Sequence, residues 1–148
     1  MSLQPARPRW PLVTLRVTAA LVALLALAQP VLAGGFLQGI YPLLDAHMMA
    51  AMILATAVLL SVVAALLVWR VGGGPSSFAL RYFVLLVLCV AQISLGFERV
   101  LILHIPLGVG IFVMAEKFVA EVFRSKPDAA SAEVTAGTLV EATAEAQA

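Results

Sequence analysis

Four long apolar runs separated by short polar breaks constrain this chain more than any other feature. They cover residues 12–33, 42–69, 78–97 and about 100–123. A helix needs roughly 20 mostly apolar residues to cross about 30 Å of hydrocarbon, and each run meets that length. Lipid offers no hydrogen bonds, so a spanning backbone must satisfy its own N–H and C=O groups, which a helix does. With 63% hydrophobic and 11% charged residues, against about 25% charged in a soluble domain, the 148-residue chain reads as all-α. The expected architecture is an integral membrane four-helix bundle.

The breaks assign the ends. Residues 1–11 carry Arg7, Arg9 and several prolines and form a short basic lead. The first run admits two readings. It serves as a span, or, with its basic start and Val31-Leu32-Ala33 ahead of Gly34, as a cleavable signal peptide. Only the span keeps an even number of helices. Pro42 suits the first position of a helix, and Gly72-Gly73-Gly74-Pro75-Ser76-Ser77 is a turn. Residues 124–148 are rich in Ala, Thr and Glu without aromatic residues, so they read as a disordered tail.

Positive charge sets the orientation. Arg7, Arg9, Arg16, Arg70, Arg81, Lys117, Arg124 and Lys126 fall on one side of a four-span arrangement and only Arg99 on the other. Lys and Arg near span ends favour the cytoplasm, which places both termini inside a plasma-membrane protein. Trp10 and Trp69 fall at that same interface, where amphipathic rings concentrate. The net charge of +1 gives no footprint for nucleic acid, and the evident partner is the lipid bilayer. The single cysteine, Cys89, forms no intrachain disulfide and suits a small buried hydrophobe.

Within this frame the two halves share a plan. Gln29, then Gly34 and Gly35, precede His47; Gln92, then Gly96, precede His104, and these are the chain's two histidines. The Gln-to-His spacing is eighteen residues in the first half and twelve in the second, which implies a first outer loop about six residues longer. The bundle is thus expected to consist of two parallel two-helix repeats, related by an axis along the membrane normal. Both imidazoles would then lie at one depth near the outer surface.

An unpaired polar group in hydrocarbon costs several kcal/mol, so two imidazoles there call for partners. Ala51 and Gly108 follow the histidines by one turn and would leave flat space beneath each ring. A haem b between the second and fourth helices, its iron held by His47 and His104, uses that space. Gln29 and Gln92 would act behind the ligands, with Gly108 beneath one ring and Arg99 against a propionate. With both axial positions filled, the expected chemistry is one-electron transfer rather than oxygenation. The alternative is a cofactor-free structural or assembly subunit of a membrane complex, whose histidines only stabilise the outer turns.

Leu32-Ala33-Gly34-Gly35-Phe36-Leu37-Gln38-Gly39, Gln92-Ile93-Ser94-Leu95-Gly96 and Leu103-His104-Ile105-Pro106-Leu107-Gly108 resemble segments of the haem A synthase family, and the pattern is also similar to small membrane b-type cytochromes. The resemblance covers roughly residues 20–115. It implies one four-helix half of that family, with a haem-binding His on the second helix and another on the fourth. It also opens a homodimer, recreating eight helices, or a larger membrane redox complex as partner. The chain departs from the family in having no cysteine between Gly34 and Pro42 and only Asp45 ahead of His47, so oxygenating activity is not expected to carry over.

Overall fold

A computed structural model describes residues 7–125. Among them are four helices and no strand: α1 (Trp10–Leu37), α2 (Pro42–Arg70), α3 (Ser77–Phe97) and α4 (Leu101–Arg124). All four are long and apolar enough to cross a membrane. The boundaries follow local chemistry. Pro42 opens α2 at a position where a missing N–H costs nothing, and the residues from Gly72 to Pro75 break the chain before α3.

Three boundaries differ from the sequence expectation, the first being the start of α1 at Trp10, inside the expected 1–11 lead. Helix α1 continues through Gly34 and Gly35 to Leu37, so these glycines belong to its last turns rather than to a loop. Gly35 packs against the side chain of Leu43, and its missing Cβ lets the end of α1 approach the start of α2. At the other terminus Arg124 is the last residue of α4 and Ser125 is extended. The remainder of the anticipated tail, and residues 1–6 of the lead, lie outside the described residues.

The helices form a ring. Helix α1 packs on α2 and α4, and α3 packs on the same two, so α1–α3 and α2–α4 are the diagonals. Between lipid-soluble helices the packing gain comes from close van der Waals fit. Small residues supply it here, with Ala19 and Ala26 on α1 and Ala57, Ala64 and Ala65 on α2 all buried. Ser61 is buried among them and donates its hydroxyl hydrogen to the Ala57 carbonyl at 2.9 Å. Tyr82 stacks edge-on with Phe118 at 5.6 Å between ring centres.

The core occupies only half the length of the bundle. Buried side chains run from Pro11 to Ala26 on α1, Leu54 to Val68 on α2, Phe78 to Cys89 on α3 and Ile111 to Val122 on α4. No residue from 27 to 53 or from 90 to 110 is buried. The packed half lies toward the 71–76 connection, and the open half lies toward the turns at 38–41 and 98–100. Polar contacts fasten the packed end. Arg16 donates to the carbonyls of Val122 at 3.4 Å and Ser125 at 2.8 Å, which satisfies free carbonyls at the C-terminus of α4. Arg81 pairs with Glu121 between α3 and α4.

Candidate functional site

The open half is framed by two turns of the same construction. After α1, the N–H of Gly39 bonds the Phe36 carbonyl at 2.9 Å and that of Ile40 bonds Gly35 at 3.1 Å; after α3, Arg99 bonds Gly96 at 3.2 Å and Val100 bonds Leu95 at 3.0 Å. Both are Schellman endings, in which one residue takes the left-handed conformation. Gly39 does so with φ of +94° and Arg99 with φ of +55°. Gly39 follows Gln29 by ten residues and Arg99 follows Gln92 by seven; His47 then follows Gly39 by eight and His104 follows Arg99 by five. The six extra residues of the first hairpin therefore lie on both arms, three before its left-handed residue and three after it. This corrects the expectation that all six lengthen the outer loop, since only one lies in the turn, 38–41 against 98–100.

His47 and His104 end up facing one another across the α2–α4 diagonal, their ring centres 6.3 Å apart and their planes at 65°. Each ring is tied back to the preceding helix of its own hairpin. Nδ1 of His47 lies 3.2 Å from the backbone oxygen of Gln29, and Nδ1 of His104 lies 3.0 Å from that of Gln92. A carbonyl only accepts, so Nδ1 carries a proton in both rings, and in a neutral ring the lone pair is then on Nε2. The backbone of each glutamine is thus the histidine's partner, which no sequence pattern could have distinguished from a side-chain contact.

The two glutamine side chains are not alike. Gln92 Nε2 donates to the His104 carbonyl at 2.8 Å, while Gln29 Nε2 and Gln92 Oε1 are buried without a partner. Neither glutamine reaches the wall of the cavity that both histidines line. Gly108 stands behind that wall too. A Cβ there would come within 2.8 Å of Gln92 Nε2, so its missing side chain makes room for the amide rather than for a space beneath His104. Ala51 and Arg99 do line the cavity.

The cavity measures about 630 Å³, within the range of about 300–1,000 Å³ usual for small-molecule and cofactor sites. Its walls come from all four helices and the 98–100 turn. Apart from His47, His104 and Arg99 the lining is apolar, and several of its members, among them Leu37, Leu101 and Ile105, are exposed on the outside of the bundle. Sequence reading missed Ala33, which lines the cavity with Gly96. The signal was present, since each lies four residues after its glutamine.

Two nitrogen donors limit what the cavity can hold. Among the described residues no three His, Cys, Asp or Glu side chains converge, so the three or four protein ligands of a zinc site are not assembled. Fold and site together define an all-α, multi-pass membrane bundle with paired imidazoles in a cavity at one end. No family profile, curated protein or solved structure matches the chain.

Proposed function

We propose that this chain is a bis-histidine haem b protein of the plasma membrane that passes single electrons, with its two hairpins acting as parallel repeats around the cofactor. The observation that carries this reading is the pair of Nδ1–carbonyl bonds in two histidines that line one cavity, which leaves Nε2 of each neutral ring as its lone-pair donor. A backbone carbonyl behind a ligating histidine fixes its tautomer and ring orientation. His47 and His104 would hold the iron, and Arg99 would hold a propionate. When bound, haem supplies one-electron redox chemistry. The chain's own contribution is to orient the two imidazoles, to exclude water with apolar walls, and to set one positive charge at the rim.

Orientation belongs to the same proposal. Arg16, Arg70, Arg81 and Arg124 cluster at the packed end and Arg99 lies at the open end, so the cavity faces outward and both termini face the cytoplasm. A homodimer, or docking into a larger redox complex, would bring an electron partner to the open half.

The test is an absorption spectrum of protein purified in detergent from haem-replete cells, oxidised and then reduced with dithionite. About one haem per chain with sharp reduced α and β bands is expected. Replacing either histidine with alanine should abolish the six-coordinate signature. A colourless protein, or an unchanged spectrum in both variants, overturns the proposal. The second reading, a cofactor-free assembly subunit, has its own support. The same Nδ1–carbonyl bonds join α1 to α2 and α3 to α4 without any cofactor. It requires that His47→Gln and His104→Gln proteins accumulate and work normally.

A further inference from the structure

The two imidazoles are held unequally. His104 takes part in two bonds with one residue, donating from Nδ1 to the Gln92 backbone at 3.0 Å while its own carbonyl accepts from Gln92 Nε2 at 2.8 Å. Gly96 is packed flat against it, since a Cβ at Gly96 would lie 3.0 Å from Cε1 and 3.3 Å from Nδ1 of that ring. His47 has a single bond of 3.2 Å to the Gln29 backbone. The Gln29 amide nitrogen makes no bond, and a Cβ at neither Gly34 nor Gly35 would touch the His47 ring, while the counterpart of Gly96 by spacing from the glutamine is Ala33.

Resting on the haem reading above, we infer that His104 is the fixed ligand and His47 the exchangeable one, so that a small neutral molecule with a donor lone pair enters at the His47 position. The exchange is a ligand substitution. The incoming molecule brings its lone pair to the position, the His47 nitrogen leaves with its own, and no electron or proton is transferred. Positioning by hydrogen-bonded neighbours sets how firmly an imidazole ligates and is commonly worth 10- to 100-fold in affinity. Both rings have a carbonyl on Nδ1, and the Gln92 amide adds a second tie, to the backbone of His104 alone. The space needed is present, because Ala51 and Met48 beside His47 line the cavity and Met48 is 41% exposed, so the His47 side can yield without disturbing the packed core.

The experiment uses full-length protein in detergent, with haem titrated into wild type, His47→Ala and His104→Ala, and carbon monoxide added to the reduced wild type. The His47→Ala protein should keep haem in a five-coordinate form and bind it about tenfold or more tighter than His104→Ala does, the lower end of what a positioning neighbour contributes. Carbon monoxide should bind the reduced wild type and give the same product spectrum as it gives with His47→Ala. To guard against misfolding, His47→Gly and His104→Gly are titrated with free imidazole present. Restored six-coordinate binding in both, with the inequality seen again once imidazole is removed, supports the assignment. Equal losses in the two alanine variants, or a reduced wild type that ignores carbon monoxide, overturn the inference while leaving a bis-histidine haem in place. Failure of the wild type to take up haem overturns both.

Discussion

Gln92 and His104 hold each other by two hydrogen bonds in opposite directions, ring Nδ1 to the Gln92 carbonyl at 3.0 Å and the Gln92 amide to the His104 carbonyl at 2.8 Å. The pair ties α3 to α4 across the turn and fixes one imidazole at the cavity wall. Its counterpart, Gln29 and His47, makes only the first of these bonds. Gln92→Leu loses a bond worth about 1 kcal/mol net but also removes the unpartnered Oε1, so it should destabilise the protein by somewhat less than about 1 kcal/mol. Gln29→Leu removes an amide nitrogen that has no partner and should be neutral or slightly stabilising. Reversible unfolding in mixed detergent micelles reads both, and an equal loss in the two variants would sink this account.

Gly96 and Gly34, both near the ends of their helices, meet different surroundings. A methyl group at Gly96 meets the His104 ring at 3.0 Å, whereas one at Gly34 meets nothing within 4 Å. Overpacking costs about 1–3 kcal/mol, offset by roughly 0.5–1 kcal/mol for alanine over glycine in a helix, so Gly96→Ala should lower stability by about 1 kcal/mol and shift the His104 Cε1 proton resonance. Gly34→Ala should instead stabilise α1 by roughly 0.5–1 kcal/mol, because alanine loses less backbone freedom in a helix. Identical behaviour would show that the ring does not rest on Gly96.

Arg99 occupies a left-handed position, with φ of +55°, that glycine fills in the first turn. For a side-chain-bearing residue this conformation costs roughly 1–2 kcal/mol. Arg99→Gly should raise the thermal midpoint of the ligand-free protein, Arg99→Ala should not, and Gly39→Ala should lower it. If the guanidinium also meets an anionic group of the bound ligand, Arg99→Gly should weaken haem binding even as it stabilises the empty protein. Opposite signs in melting and in haem titration are the expected result.

At the packed end two arginines do different work. Arg16 is half-buried and donates to two carbonyls at the end of α4, where the helix dipole also favours a cation. Arg81 and Glu121 form a pair whose side chains remain 43% and 35% exposed. Arg16→Met should cost about 1–2 kcal/mol and Arg81→Ala less than about 1 kcal/mol. Raising salt should erase most of the second effect and little of the first. A larger loss from Arg81→Ala would reverse the ranking.

How much of the site could be read in advance depends on the residue. His47, His104 and Arg99 stand out as polar residues at the edges of apolar runs, and the structure brings all three to one cavity. Gln29 and Gln92 also stand out, but their backbone oxygens are the atoms that meet the rings, and a backbone atom leaves no trace in residue identity. Gly108 was expected beneath His104 and instead accommodates the Gln92 amide. Its proper neighbour could not be named without the relative rotation of α3 and α4.

The sequence by itself determined the four helices, their approximate limits and the placing of one histidine near the start of α2 and one near the start of α4. Apolar length, proline and glycine breaks and charge position are local properties, and membrane helices obey them strongly because lipid gives the backbone no other partner. Only the tertiary structure decided that the core fills one half of the bundle, that the first hairpin's extra residues lengthen both its arms, and that one imidazole is clasped more firmly than the other. The physical reason is that these helices are apolar nearly all round. Lipid and protein interior are equally good solvents for such faces, so the pattern along the chain carries little record of which side turns inward.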